Sequence, residues 1–171
     1  IKKLFVDNPS YGNELKRLLV INKPDCLSNN NAKYSELIRG YSIKRLREEG
    51  YIRTVPRLDL QEHESVKSYI IINMDDFTPT SNNEYRDCTI TFFIFSEYSY
   101  AEMDNYEYRP AKIAGYIDGV MNKAKLTNIG ELKFLGAQHV PLNEYWGGIA
   151  LMYLATHSEA EDKNPDIPEA S

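Results

Sequence analysis

The feature that most constrains this chain is a strand pattern at residues 87–95 that is apolar or β-branched on both faces. The two faces consist of Cys88, Ile90, Phe92 and Ile94 on one side and Thr89, Thr91, Phe93 and Phe95 on the other. Because such a strand needs cover on both faces, a sheet containing it cannot leave one side in water. The helices of a small domain can cover one face, which leaves the other available to a partner. The pattern therefore predicts an α+β protein that associates with another molecule.

Three further segments have the composition of β-strands, namely residues 66–74, 131–140 and 147–157. The first of them is again apolar on both faces, and in the last Ile149, Leu151 and Tyr153 alternate with Ala150, Met152 and Leu154. Residues 51–60 are also extended in character, but Pro56 lacks a backbone donor and limits them to an edge strand or an irregular arm.

A long loop is predicted at residues 75–86, between the strands at 66–74 and 87–95. Its centre, residues 78–83, is rich in the Thr, Pro, Ser and Asn that favour turns. Strands joined in this way pair as an antiparallel hairpin. We expect the long tip to act as an interaction arm, with Phe77 as one of its contact residues.

Helical patterns complete the fold. The first, a short helix whose apolar stripe follows Pro9 and Ser10, must end before Pro24, and the second covers about residues 34–49 with Gly50 as its C-terminal cap. The third, residues 109–123, has an apolar stripe that should lie across the sheet. The sequence thus predicts an α+β fold in which two or three helices pack on a mixed, mainly antiparallel sheet with a long-tipped hairpin.

Negative charge is concentrated at the C-terminal end. Residues 158–171 hold five acidic side chains and one lysine, out of a net charge of −5 for the whole chain. With two prolines and no apolar periodicity, this segment is predicted to be an acidic, flexible tail following a single domain at residues 1–157. We expect Glu159, Glu161 and Asp162 to contact a neighbouring protein.

Four tyrosines, Tyr98, Tyr100, Tyr106 and Tyr108, lie among acidic residues in the segment before the third helix. Tyrosine is favoured at interfaces because it combines a large apolar ring with a polar tip and loses little side-chain entropy. The four rings are therefore candidate interface residues. They could equally cover the flank of their own domain, and the sequence leaves both interpretations open.

Basic residues cluster at Arg45, Arg47, Arg53 and Arg57. The simplest interpretation is a solvated helix end, and the alternative is a surface that faces DNA or an acidic partner. Apart from the acidic tail the chain is almost neutral, which argues against a dedicated DNA-binding protein because such binding requires clustered cations at the phosphates.

One pattern imitates an enzyme. Asp75 or Asp76, followed at a distance by Glu131 and Lys133, resembles the Asp…Glu-x-Lys arrangement with which metal-dependent nucleases bind a divalent ion and position water. In those enzymes the two parts lie on strands that follow each other closely, whereas here a strand, the tyrosine-rich segment and a helix intervene. A two-part motif of this kind has a high false-positive rate. Nuclease activity is therefore kept as an alternative only.

The sequence indicates no other catalytic, metal-binding or phosphate-binding site. His63, His139 and His157 do not stand at ligand spacing from one another or from Cys26 and Cys88, and we expect the two cysteines to be buried free thiols. No nucleophile elbow or glycine-rich phosphate cradle is present in the sequence. We expect no metal, no cofactor and no enzymatic activity.

The order of elements over residues 34–157 resembles the tail-terminator and tail-completion proteins, which are neck or head-tail connector proteins, of tailed bacteriophages. In that family a hairpin strand, here residues 89–95, precedes a helix, here residues 109–123, and a last strand, here residues 148–157, closes the sheet. The inserted tyrosine-rich residues 98–108 and the acidic tail depart from the family pattern.

The resemblance implies a structural protein of the virion, assembled in the host cytoplasm, that forms a ring around the DNA channel as a head-tail connector, neck or tail-terminator adaptor. It implies a homo-oligomer of about six or twelve copies. Its neighbours would be portal, neck or tail proteins, and DNA would pass through without sequence-specific binding. The family has no catalytic residues and no membrane contact. The alternatives are the nuclease described above and a generic cytoplasmic protein-binding module.

Overall fold

The computed structural model describes residues 1–28, 32–54, 66–79, 85–126 and 130–158. Its elements in chain order are α1 (Lys2–Phe5), α2 (Pro9–Val20), α3 (Ala32–Arg39), α4 (Ile43–Glu48), β1 (Ile52–Arg53), β2 (Ser68–Pro79), β3 (Tyr85–Glu97), a 3₁₀ turn (Tyr98–Tyr100), α5 (Arg109–Met121), β4 (Lys125–Leu126), β5 (Gly130–Pro141) and β6 (Trp146–Ser158).

The strands form one curled sheet in the order β1-β2-β3-β6-β5-β4. Every neighbouring pair is antiparallel except β1 and β2, which are parallel. The predicted α+β class with a mixed, mainly antiparallel sheet is therefore confirmed. The longest strands, β3 and β6, occupy the centre, and β2 and β5 flank them.

Helix α5 lies across one face of the sheet, as its apolar stripe predicts. Ile113 and Ile117 are fully buried beneath it, and Asp118 on the same helix accepts a 2.8 Å hydrogen bond from the hydroxyl of Tyr153 on β6. The ring of Tyr153 meets that of Phe92 on β3 edge to face, with centroids 5.9 Å apart. This face holds the main core of the protein.

The single helix predicted at residues 34–49 is wrong, because the chain forms two helices there. Helix α3 ends at Arg39, and Ser42 caps a new helix, α4, by accepting a hydrogen bond from the backbone N–H of Arg45 at 3.2 Å. Gly40 stands at the break, where its low helix propensity favours an interruption. Gly50 follows α4 at φ 83°, the left-handed conformation expected of a glycine that closes a helix.

The hairpin of β2 and β3 is confirmed, but its predicted loop is too long. Pairing continues past residue 75 to Thr78 and Pro79, opposite residues 87 and 86. Thr78 and Pro79 thus belong to the extended ribbon, which is interrupted by a register shift between Asp75 and Thr78, and residues 80–84 of the predicted loop lie outside the described residues. Asp76 takes up this irregularity at φ 57°, and Phe77 next to it is 61% exposed.

The second face of the sheet is partly covered by the chain itself. Tyr69 and Phe95 are buried there with ring centroids 5.5 Å apart, and Trp146 lies 5.4 Å from Tyr69. Further along this face, Phe93 and Met152 are half-buried. The expectation that a partner covers this face is therefore wrong at the Trp146 end, where the chain's own aromatic rings exclude water.

Candidate interaction surfaces

The residues of the suggested nuclease motif lie far apart. The strand register aligns Asp75 with Thr89, Leu154 and Lys133 in one row across β2, β3, β6 and β5. Three strand spacings therefore separate Asp75 from Lys133, or roughly 14 Å at about 4.8 Å each. Within the described ranges, no group of three or more His, Cys, Asp or Glu side chains could hold a metal ion. The fold does not assemble this site.

The two cysteines are buried and free, as the sequence predicts. Burial raises the pKa of the Cys26 thiol and of the Cys88 thiol. Because the thiolate is the reactive form, neither sulfur is activated as a nucleophile.

The tyrosine-rich segment divides into covered and exposed rings. Tyr100 and Tyr108 are half-buried, whereas Tyr98 is 41% and Tyr106 88% exposed. The backbone N–H of Tyr98 donates to the carbonyl of Tyr145 at 2.8 Å, and Tyr145 is itself 63% exposed. Tyr100 and Tyr108 therefore partly cover their own domain, and an interface role for Tyr98 and Tyr106 stays a prediction. The exposed rings of Tyr98, Tyr106 and Tyr145 are the ones free to contact another molecule.

The covered tyrosines are held by their own domain. The ammonium of Lys67 lies 5.6 Å from the ring centroid of Tyr100, and the ring of Tyr108 lies 6.4 Å from that of His139 on β5. The segment is thereby attached to the sheet at two points. Tyr145 was missed by the sequence analysis because nothing in its neighbourhood distinguishes it from an ordinary turn residue.

Arg109 is the buried anchor of the tyrosine-rich segment, and the sequence analysis treats it only as the start of a helix. Its side chain is completely buried and donates from Nε to the carbonyl of Tyr100 at 2.9 Å. Nη1 donates to the carbonyls of Leu18 and Ile21 at 2.8 Å each, and Nη2 to that of Lys23 at 2.7 Å. Burial lowers the pKa of Arg109. The guanidinium thus ties the segment to the C-terminal end of α2, where carbonyl dipoles favour a cation.

Two arginines of the predicted basic surface lie on α4. Arg45 donates to Glu49 at 2.5 Å and lies over the ring of Tyr41, 4.1 Å from its centroid. Arg47 on the same helix is exposed. The charge of Arg45 is therefore largely compensated within its own helix.

Arg53 takes part in the packing of the second sheet face. Its guanidinium lies 4.9 Å from the ring centroid of Tyr69, and its Nε donates to the carbonyl of Gly50 at 3.1 Å. Arg57 lies outside the described residues, as do Glu159, Glu161 and Asp162 of the tail. The structure therefore describes three of the four predicted basic residues, and the surface that they would form with Arg57 stays a prediction.

The outer strands of the described sheet cover only part of its two edges. β1 pairs with β2 only at Ile70 and Ile71, and β4 pairs with β5 only at Gly130 and Glu131. Among the described residues, the outer edges of β2 beyond residue 71 and of β5 beyond residue 132 have no further strand beside them. Exposed apolar side chains accompany both edges: Met74 and Phe77 on β2, and Phe134 and Leu135 on β5.

A polar cleft of about 320 Å³ lies between α2 and α3. Arg17 at its base donates to the hydroxyl of Ser35 at 2.7 Å and to the carbonyl of Ser28 at 3.4 Å. The guanidinium of Arg17 is therefore already engaged by the chain, and Asn13, Glu14 and Arg39 are among the other polar side chains that line the cleft.

These features define an α+β protein whose accessible groups are strand edges and tyrosine rings. The YomW family model matches residues 13–155, so the chain belongs to the YomW family. No curated protein matches the chain. Among solved structures, a chain described as "Virion of native gene transfer agent (GTA) particle" shares 14% sequence identity, over 72% of this chain and 90% of that chain, with a TM-score of 0.46. No helix within the described ranges has the length and apolar character needed to cross a membrane.

Proposed function

We propose that this chain is a structural protein of a virion and acts as a ring-forming adaptor at the head-tail junction. The observation that carries the proposal is the arrangement of β2, β3, α5, β5 and β6, in which a long hairpin precedes a helix that lies across one face of an antiparallel sheet. This is the arrangement expected from the resemblance to tail-terminator and tail-completion proteins.

The surface supports an assembly role. The sheet ends in two different open edges on opposite sides, and unlike surfaces that bind head to tail generate rings when the rotation closes. In such a ring, the exposed Tyr98, Tyr106 and Phe77, together with Glu159, Glu161 and Asp162 of the tail, are the residues we assign to contacts with portal, neck or tail proteins. DNA would pass through the ring without sequence-specific contacts, with Arg47 and Arg57 as candidate channel-facing residues beside the partly engaged Arg45 and Arg53.

Genetic complementation tests this function. Cells carrying the particle-forming gene cluster with this gene disrupted should release heads and tails that are not joined, and the wild-type gene should restore complete particles. A gene encoding Tyr98→Ala and Tyr106→Ala should restore them poorly, because it removes two exposed rings. The matched control is Leu37→Ala, since Leu37 is 49% exposed on α3, a helix to which no proposed contact is assigned. Normal particles from the disrupted strain would contradict the proposal.

A further inference from the structure

We propose that the polar cleft between α2 and α3 is a binding site for a carboxylate group. The cleft has a volume of about 320 Å³, and all the residues that line it belong to these two helices. The inference therefore does not depend on the strand edges, on the tyrosine-rich segment or on the proposed function. Three observations carry it: a buried guanidinium that is incompletely bonded, a second arginine without a partner, and the net charge of the lining.

Arg17 on α2 is the buried guanidinium, with only 8% of its surface exposed. Its Nη1 donates to the carbonyls of Leu27 and Ser28 at 3.5 and 3.4 Å, which are long distances for such bonds, and its Nη2 donates to the hydroxyl of Ser35 at 2.7 Å. A guanidinium carries five N–H hydrogens. Among the described residues, Nε and the second hydrogen of Nη2 have no acceptor. Nε and Nη2 form one side of the guanidinium, and a carboxylate can bind such a side with both of its oxygens.

Arg109 provides a comparison within the same fold. It donates four hydrogen bonds of 2.7 to 2.9 Å to backbone carbonyls, whereas Arg17 has one bond in that range. No carboxylate of the described residues forms an ion pair with Arg17. Because a buried charge is costly unless it is paired and hydrogen-bonded, Arg17 lacks an anionic partner that a ligand in the cleft would supply.

Helix α3 contributes two further donors to the cleft. The hydroxyl of Ser35 accepts from Arg17, so its own hydrogen remains available to donate to a ligand. Arg39 is exposed, and within the described part of the chain it has no hydrogen-bond or ion-pair partner. Its position four residues after Ser35 places both side chains on the same face of α3. Three side chains from two helices can therefore donate to one ligand.

The charge of the lining favours a carboxylate over a phosphate. Glu14 also lines the cleft, so the guanidinium groups of Arg17 and Arg39 leave a single net positive charge there. A carboxylate neutralises this charge, whereas an anion with two negative charges leaves an excess negative charge beside Glu14 and loses more hydration on entering. Free carboxylic acids and the Asp or Glu side chains of a polypeptide carry the same group, and the test separates these two sources.

NMR titration of the full chain tests the site with three probes at equal ionic strength: acetate, a synthetic peptide with the sequence of residues 158–171, and sulfate. Acetate should shift the Nε–H resonance of Arg17, because that hydrogen gains an acceptor. A peptide that binds more than about tenfold more tightly than acetate identifies an acidic polypeptide as the source, and a smaller difference identifies a free acid. An unshifted Arg17 resonance, or tighter binding of sulfate than of acetate, would overturn the proposal.

Two substitutions at the cleft should change the affinity in opposite directions. Arg39→Gln should weaken acetate binding about tenfold, because it removes a charge-assisted hydrogen bond. Glu14→Gln should strengthen it about threefold, because it removes a like charge from the lining. Arg47→Gln, the same change at an exposed arginine on α4, is the matched control and should leave the affinity unchanged. A purely structural role of these side chains would not produce opposite shifts, so equal affinities for wild type, Arg39→Gln and Glu14→Gln would overturn the site.

Discussion

At the scale of single residues, the organisation of the molecule depends on polar groups in the core as much as on apolar ones. Arg109 joins the tyrosine-rich segment to α2 through four backbone carbonyls. Tyr153 places its hydroxyl on Asp118 of α5. By contrast, the hydroxyl of Tyr69 is buried and has no hydrogen-bond partner among the described residues.

Replacing Arg109 with lysine should destabilise the fold by about 3 kcal/mol or more, because one ammonium cannot reach carbonyls on both sides of the guanidinium and leaves buried acceptors unpaired. Urea unfolding measures the free energy of unfolding of both proteins. Arg39→Lys is the matched control, since Arg39 is exposed on α3, and it should change that free energy by less than about 0.5 kcal/mol. A loss for Arg109→Lys no larger than for the control would show that the four hydrogen bonds contribute nothing.

Replacing Tyr69 with phenylalanine should leave stability at neutral pH unchanged or raise it, because it removes a buried hydroxyl that lacks a partner and keeps the ring beneath Arg53. Burial raises the pKa of Tyr69 to about 12. A phenol whose folded pKa is raised contributes its full stability below the unfolded pKa of about 10 and loses it as the pH rises through the folded value. Urea unfolding between about pH 10 and pH 12, the range given by these two pKa values, should therefore show a shallower loss of stability for Tyr69→Phe than for wild type. An equal slope for the two proteins would contradict this.

At the scale of elements, two glycines have opposite roles. A side chain on Gly148 of β6 would collide with the backbone carbonyl of Ile94 on β3, whereas one on Gly115 of α5 would meet nothing within 4 Å. The first glycine allows close approach of the two central strands. The second has no such steric requirement.

Gly148→Ala should therefore destabilise the protein by several times the thermal energy, about 2 kcal/mol or more, because the strand backbones must separate. Gly115→Ala should stabilise it by about 0.5 to 1 kcal/mol, since alanine is the better helix former. Thermal unfolding should show a lower melting temperature than wild type for Gly148→Ala and a higher one for Gly115→Ala. A Gly148→Ala protein as stable as wild type would contradict the close approach.

Some of these elements can be predicted from the sequence and others cannot. The apolar stripe of α5 and the alternation along β3 depend on local periodicity, and both were predicted correctly. The break between α3 and α4 depends on capping by Ser42, which outweighs the local helical pattern. The extension of the hairpin past Asp75 depends on pairing between β2 and β3, which outweighs the local loop pattern. Arg109 could not have been recognised, because its partners are backbone carbonyls that lie at least 86 positions away for three of the four bonds.

Among the candidate site residues, solvent exposure distinguishes four tyrosines that the sequence pattern alone cannot tell apart. Tyr98 and Tyr106 remain free to contact a partner, while Tyr100 and Tyr108 are held by the chain. The acidic Asp75 and the basic Lys133 suggested a shared metal site in the sequence, but the sheet places them at its two opposite edges. Only the strand order of the sheet shows that these two residues lie far apart.

At the scale of the whole molecule, the curled sheet and the helices on one of its faces form a body with two unlike edges. Such a body is suited to repeat around an axis.

Quantitative mass spectrometry of purified particles tests the virion role most directly. Particles released by cells carrying this gene should contain the chain in a fixed ratio to the portal protein, at about six or twelve copies per particle. Washing at high salt should not remove it, because salt screens contacts between exposed charges and leaves buried contacts in place. A chain absent from complete particles, or present in variable amounts that washing removes, would contradict its assignment as a structural component of the virion.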